Sequence, residues 1–179
     1  MKPFVKYYCL LFLLIVTSGI SFAQQTGKID STRQKFIAAA TKIMVNAHFC
    51  TLITMDENGR PVGRIVEAFD PDSNLVVWIG TNSRSRKVQQ IKQNTDVTLF
   101  YFDVTTFTYV NIQGKAQLIN DPPEKLTHWK EEWKPFYPDI KEDYLLIKVT
   151  PQLLELLSPE NGFSGDKLTW KTPSIKLAQ

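Results

Sequence analysis

The run from Tyr109 to Ile119 alternates with a period of two. Val110, Ile112, Ala116 and Leu118 point one way, and Tyr109, Asn111, Gln113 and Lys115 the other. Around this long strand the chain offers several shorter β-rich runs. Phe49 to Met55 and Val62 to Phe69 flank Asp56-Glu57-Asn58-Gly59, an Asn-Gly hairpin signal. Leu75 to Ile79 is apolar at consecutive positions, which predicts a strand covered on both faces. Val97 to Phe102 follows. Tyr144 to Val149 and Leu153 to Leu157 read as separate strands divided by Thr150-Pro151, and Leu168 to Lys171 as a last short one. Helical signals are fewer. Ser31-Thr32-Arg33-Gln34 has capping-box spacing ahead of a face made by Phe36, Ala40, Ile43, Met44 and Ala47. A second helix covers 85–94, with Asn94 as its stop. Asp121-Pro122 starts a third, with Leu126, Trp129 and Trp133 on one face. Many short strands with peripheral helices predict a mainly β fold, an antiparallel β-barrel with helical covers.

Residues 1–23 carry Lys2 and Lys6 ahead of an apolar stretch, then Ser21-Phe22-Ala23 before Gln24, which reads as a cleaved secretory leader. The competing reading, a retained anchor, meets an apolar run that is short for a spanning helix. Residues 24–30 read as a flexible lead-in and 31–179 as one domain. The expected location is periplasmic or secreted, with cleavage near Ala23 and no membrane association afterwards. The whole chain has 21 Lys and Arg against 18 Asp and Glu; without the leader the balance is 19 against 18. Basicity therefore gives no support to a nucleic-acid partner. Of the two cysteines only Cys50 lies beyond the leader, so no internal disulfide is expected, and its apolar setting marks a buried structural thiol.

What basic character remains is local. Trp78-Ile79-Gly80-Thr81-Asn82 passes from an apolar strand into the polar turn Ser83-Arg84, and then into Ser85-Arg86-Lys87, the first turn of the second helix. Cations are disfavoured at a helix N-terminus, whose free N–H groups already carry partial positive charge. Hydroxyls, backbone N–H groups and a guanidinium clustered there suit a phosphate dianion. The plain alternative is a solvated basic turn.

No metal or nucleophile constellation emerges. The two histidines, His48 and His128, are far apart without ligand spacing. His48 reads as structural at a helix-to-strand junction and His128 as a helix-surface residue. Asp121 and Glu124 are explained by capping, and no residue is assigned a catalytic role.

Taken together, the hairpin followed by Arg64-Ile65-Val66, the strand ending Trp78-Ile79-Gly80-Thr81-Asn82, the Ser85-Arg86-Lys87 helix start and Val110-Asn111-Ile112-Gln113-Gly114-Lys115-Ala116 occur in a telling order. From Thr51 to Thr150 the chain resembles the flavin mononucleotide (FMN)-binding split barrels, the pyridoxamine phosphate oxidase-like superfamily, and within it the general stress protein branch. The resemblance implies that Arg64, Ser85, Arg86 and Lys87 hold the flavin phosphate. It implies that the backbone around Ile65 and Val66 meets the flavin ring and that Thr81 bonds the cofactor. It also implies a homodimer with the flavin at the subunit boundary. Three departures stand out. Glu67 follows Arg-x-Val where oxidase members continue with apolar residues and a lysine. Tyr109 stands where they usually carry glutamine, and nothing after Trp170 resembles their C-terminal Arg-x-His segment.

The expectation is therefore an exported FMN-binding protein, a flavin-dependent oxidoreductase without the substrate grip of a true pyridoxamine phosphate oxidase. Its partners would be the flavin and a small-molecule or redox partner. The alternatives are a non-enzymatic flavin-binding stress or storage protein and, less well supported for want of a histidine ligand, a haem-related split barrel.

Overall fold

The computed structural model describes residues 31–177. The expected leader, its cleavage site and the lead-in lie outside the described residues. The contacts of the described residues divide the chain between Ala38 and Ala39.

Helix α1 covers residues 31–47, with Phe36, Ala39, Ala40, Ile43 and Met44 buried in a stripe of helical period. Ser31 is itself helical. The helix ends at His48, whose φ of 58° is left-handed and whose N–H returns to the Met44 carbonyl.

Seven strands follow: β1 (Phe49–Met55), β2 (Pro61–Glu67), β3 (Val77–Asn82), β4 (Asp96–Asp103), β5 (Thr108–Ile119), β6 (Tyr144–Leu157) and β7 (Ser174–Lys176). Between them lie α2 (Arg86–Gln93), α3 (Pro122–Thr127) and a 3-10 helix over Glu131–Phe136. The sheet order is β2-β1-β4-β5-β6-β3, every pairing is antiparallel, and β7 adds to β6. Past the end of β2, Ala68 bridges back to Ile79 of β3, and the Phe69 N–H donates to the Trp78 carbonyl at 2.9 Å. That contact joins the two ends of the strand order and closes the barrel. Inside it sit Leu52, Ile79, Leu99, Ile112, Ile147 and Leu154, all with almost no exposure. The barrel expected from the strand count is the fold observed.

Several local expectations change. The expected Asn-Gly hairpin forms between β1 and β2, with a loop of three residues. The Gly59 N–H bonds to the Asp56 carbonyl, Gly59 has φ +73°, and Asp56 and Arg60 close the hairpin. This is the three-residue loop in which the glycine forms a bulge. The Asp56 carboxylate accepts from the N–H groups of Asn58 and Arg60 and fixes the turn.

Thr150-Pro151 does not divide two strands; β6 runs unbroken from Tyr144 to Leu157. The register against β5 shifts between Gln113 and Gly114, opposite Pro151. A proline lacks the ladder N–H and is tolerated at such an irregularity. Gly114 makes the shift feasible, since a Cβ there would lie 2.3 Å from the Thr150 carbonyl oxygen.

Strand β3 alternates, with Val77, Ile79 and Thr81 buried and the residues between them half-buried. Its outer face is covered in part by residues from 128 to 144. His128 stacks on Trp78 with ring centroids 4.3 Å apart. Over Gly80 lie Trp133 and Tyr144, whose ring atoms would be 2.6 and 2.8 Å from any added Cβ. Helix α3 is capped by Asp121 as predicted, its carboxylate accepting from the Glu124 N–H. It ends at Thr127, however, before either tryptophan, and Leu126 on it is 68% exposed. Trp129, Trp133, Tyr137 and Tyr144 instead form a cluster of edge-to-face and tilted rings beyond it. His128 thus leaves the helix surface for the face of β3. Leu168 and Thr169 lie in a turn and Trp170 and Lys171 in irregular backbone, and the last strand forms later, at β7.

Candidate functional site

The barrel brings three elements to one place: β2 with Arg64, the end of β3 with Thr81, and the first turn of α2 with Ser85, Arg86 and Lys87. Ser85 is the N-cap of α2, but its side chain makes no capping bond. Its hydroxyl instead lies 3.2 Å from that of Thr81, which also accepts from Lys87 Nζ at 2.9 Å. The first-turn N–H groups of α2 are therefore not covered by a side-chain cap, and no acid occupies that turn.

Arg64 reaches the same place from β2. Its Nη1 donates to Thr54 Oγ1 at 2.6 Å and to the Leu52 carbonyl at 3.3 Å. Its Nη2 donates to Gln90 Oε1 at 2.8 Å. Burial lowers the Arg64 pKa, and the Arg86 charge lowers it further. Burial likewise lowers that of Lys87, with Arg64 adding to the effect. Each cation is thus felt by another, while among the described residues none of the three has a carboxylate partner. Positive charges crowded at a partly buried helix start are unfavourable unless an anion shares the space.

Arg84 behaves differently. Its guanidinium pairs with Asp143, and the neighbouring Ser83 hydroxyl donates to the Glu142 carbonyl. It belongs to that anchoring contact and not to the cation cluster. The remaining predicted residues lie on β2. Val66 is buried at 8% exposure, whereas Ile65 is 69% exposed on the opposite face of the strand, paired in register with Thr51.

Two residues of this network escaped the sequence reading: Thr54 and Gln90, both buried. Gln90 lay within reach of it. It follows Arg86 by four positions and Lys87 by three, hence shares their face of α2.

Other chemistry is sparse. Cys50 is buried, and burial pushes its thiol up to about 12, which keeps it protonated and inert. Among the described residues no group of three His, Cys, Asp or Glu side chains gathers to hold a metal. A cleft of about 200 Å³ beside β1 and β4 is lined by Met55, Asp96, Thr98, Gln113 and Gln152 and reaches Thr54, but holds none of the cluster's cations. On β2, Glu67 gathers a second polar group. It accepts from Lys130 Nζ at 2.5 Å and Trp133 Nε1 at 3.2 Å and lies 3.1 Å from His48 Nε2.

The structure is thus a closed antiparallel barrel with a cationic helix start against one of its strands. Residues 35–156 match the family described as pyridoxamine 5'-phosphate oxidase like, and the chain belongs to that family. Among solved structures it is similar to a Clostridium acetobutylicum protein related to general stress protein 26 of Bacillus subtilis. That likeness has 21% identity, covers 80% of this chain and 95% of the other, and has a TM-score of 0.66. General stress protein 26 from Bacillus anthracis is similar at 21% identity, with 77% and 95% covered and a TM-score of 0.61. A pyridoxamine 5'-phosphate oxidase-related, FMN-binding protein from Nostoc punctiforme is similar at 15% identity, with 84% and 96% covered and a TM-score of 0.56. No curated protein matches the chain.

Proposed function

We propose that this protein binds flavin mononucleotide, with Arg64, Ser85, Arg86 and Lys87 on its phosphate and the β2 backbone at Ile65 and Val66 beside its ring. The observation that carries the reading is the cluster of Arg64, Arg86 and Lys87 at the uncapped start of α2 with no carboxylate among the described residues to balance it. A phosphate dianion supplies the missing negative charge and accepts from backbone N–H groups and side chains together. Thr81, joined to both Ser85 and Lys87, sets the hydroxyl edge of the site. The family and the FMN-binding description of the Nostoc punctiforme neighbour support the same ligand. When bound, a flavin supplies one- and two-electron redox chemistry, and the chain supplies binding and orientation.

On this reading the protein is an exported, homodimeric flavoprotein of oxidoreductase type. No Arg-x-His segment follows Trp170 in the sequence, and the reading is therefore not that of a true pyridoxamine phosphate oxidase. A storage or sensing role for the same flavin site is the second reading. The absorbance spectrum of the protein as purified tests the ligand. Paired near-ultraviolet and blue bands, released as FMN on denaturation, are expected. A Soret band, or no chromophore even after incubation with FMN, would overturn the assignment.

A further inference from the structure

We propose that Gln90 and Thr54 are positioning residues that orient Arg64 through neutral acceptors, leaving the full positive charge of the cluster for a dianionic phosphate. The inference rests on the phosphate-site reading above and assigns two residues that touch no ligand themselves.

The donor arithmetic leads to it. A guanidinium has five N–H donors in a fixed plane and no acceptor. Arg64 spends two of them from Nη1, on Thr54 Oγ1 and the Leu52 carbonyl, and one from Nη2, on Gln90 Oε1. The Nε–H and one N–H on Nη2 remain for another acceptor. Thr54 in turn donates its hydroxyl proton to Gln90 Oε1 at 2.7 Å. Gln90 Oε1 therefore receives two donors, and turning the amide over would set its NH2 against a guanidinium that can only donate. The triangle has one consistent arrangement. It is also sheltered, since Thr54 is 1% and Gln90 4% exposed. Because its corners come from β1, β2 and α2, it fixes Arg64 relative to the helix start that carries Arg86 and Lys87.

The chemical type of the acceptor matters as much as its place. A half-buried arginine is ordinarily met by a carboxylate, which binds it more strongly and cancels its charge. Here a carboxamide of nearly the same shape gives orientation without cancellation. The cluster consequently stays three positive charges strong and favours a dianion over a neutral ligand.

Three variants separate orientation from charge. Gln90→Glu keeps the shape and adds a negative charge, Gln90→Met removes the acceptor and stays neutral, and Thr54→Val removes the hydroxyl at constant shape. The probes are FMN and riboflavin, followed by fluorescence quenching, and inorganic phosphate, followed by the shift in melting temperature. Gln90→Glu should weaken FMN by at least about tenfold, on the scale of a lost charge-assisted bond, and abolish the phosphate shift while riboflavin affinity holds. Gln90→Met and Thr54→Val should lower the FMN-to-riboflavin ratio less. A ratio within about twofold of the parent protein's in Gln90→Glu overturns the proposal while leaving the phosphate site standing. Equal losses in Gln90→Glu and Gln90→Met overturn the charge argument. If Gln90→Glu fails to fold, an unchanged ratio in both neutral variants overturns it instead. A parent protein that neither prefers FMN to riboflavin nor responds to phosphate removes the site reading and this inference together.

Discussion

Arg64 and Lys87 hold two positive charges in partly buried positions, each within the other's electrostatic reach. Their lowered pKa values express a cost that an anion would remove. Cys50 is the opposite case, a group whose setting keeps it silent. Its thiol, pushed up to about 12, stays protonated in the folded state to well above the unfolded value of 9.0. The unfolded chain therefore sheds this proton first, and the thiol's contribution to stability is lost as pH rises from about 9 through the folded value. At pH 8, labelling of Cys50 by a thiol reagent should be slow in the native protein and rapid in denaturant. Stoichiometric labelling of native protein within seconds would show the thiol to be exposed. Its burial was legible from the alternating apolar stretch around it. The Arg64 network was not, because an arginine on a strand gives no sign of where its guanidinium ends.

At the scale of elements, one feature sets the β5–β6 pairing and another ties the barrel to its cover. The first is the close contact of Gly114 with the Thr150 carbonyl and Pro151. Gly114→Ala would force backbone apart, so the variant should lose about 1–3 kcal/mol in urea unfolding, the usual cost of overpacking. A midpoint unchanged from the parent would contradict that placement. The second is Glu67, which ties β2 to Lys130, Trp133 and His48. Burial alone would raise its pKa, but the Lys130 bond and charge, the Trp133 N–H and the His48 charge together hold it below the ordinary value. A depressed carboxylate stabilises the fold above its unfolded pKa, and that contribution is lost as pH falls through the folded one. Acidification below the unfolded value of 4.5 should therefore change Trp133 fluorescence, and Glu67→Gln should lack that transition. An identical acid transition in the variant would assign the change elsewhere. Strands β1, β2, β4 and β5 were readable from period and turn residues, as was the Asp121 cap. The continuity of β6 was not, because Pro151 is a local signal against a strand and only the register shift at Gly114 accommodates it. The tryptophans were misplaced for a related reason: helical spacing persisted in the sequence after α3 had ended.

For the whole molecule, the barrel's closure through Ala68 and Ile79 explains why residues distant in sequence share one site. Strand order could not be deduced from patterning, since each strand alternates equally well beside several neighbours. On the surface, Phe49, Ile65, Phe102 and Phe107 remain exposed. The homodimer proposed above would cover side chains of this kind. Light scattering at micromolar concentration with FMN present should give twice the chain mass of 20.5 kDa, less any removed leader. A monomer mass under those conditions would refute the assembly.

The central claim is that Arg86 and its neighbours bind the phosphate of a flavin, and a paired titration tests it most directly. Charge-assisted hydrogen bonds are worth roughly 1.5–3 kcal/mol, and about 1.4 kcal/mol is a factor of ten in affinity. Arg86→Ala should therefore weaken FMN by roughly ten- to a hundredfold and leave riboflavin, which has the ring but no phosphate, nearly unchanged. Arg84→Ala is the internal control. Arg84 is spent on Asp143, so its loss should change neither affinity by more than about twofold. FMN and riboflavin affinities that fall together in Arg86→Ala, or that do not fall at all, would contradict the phosphate site.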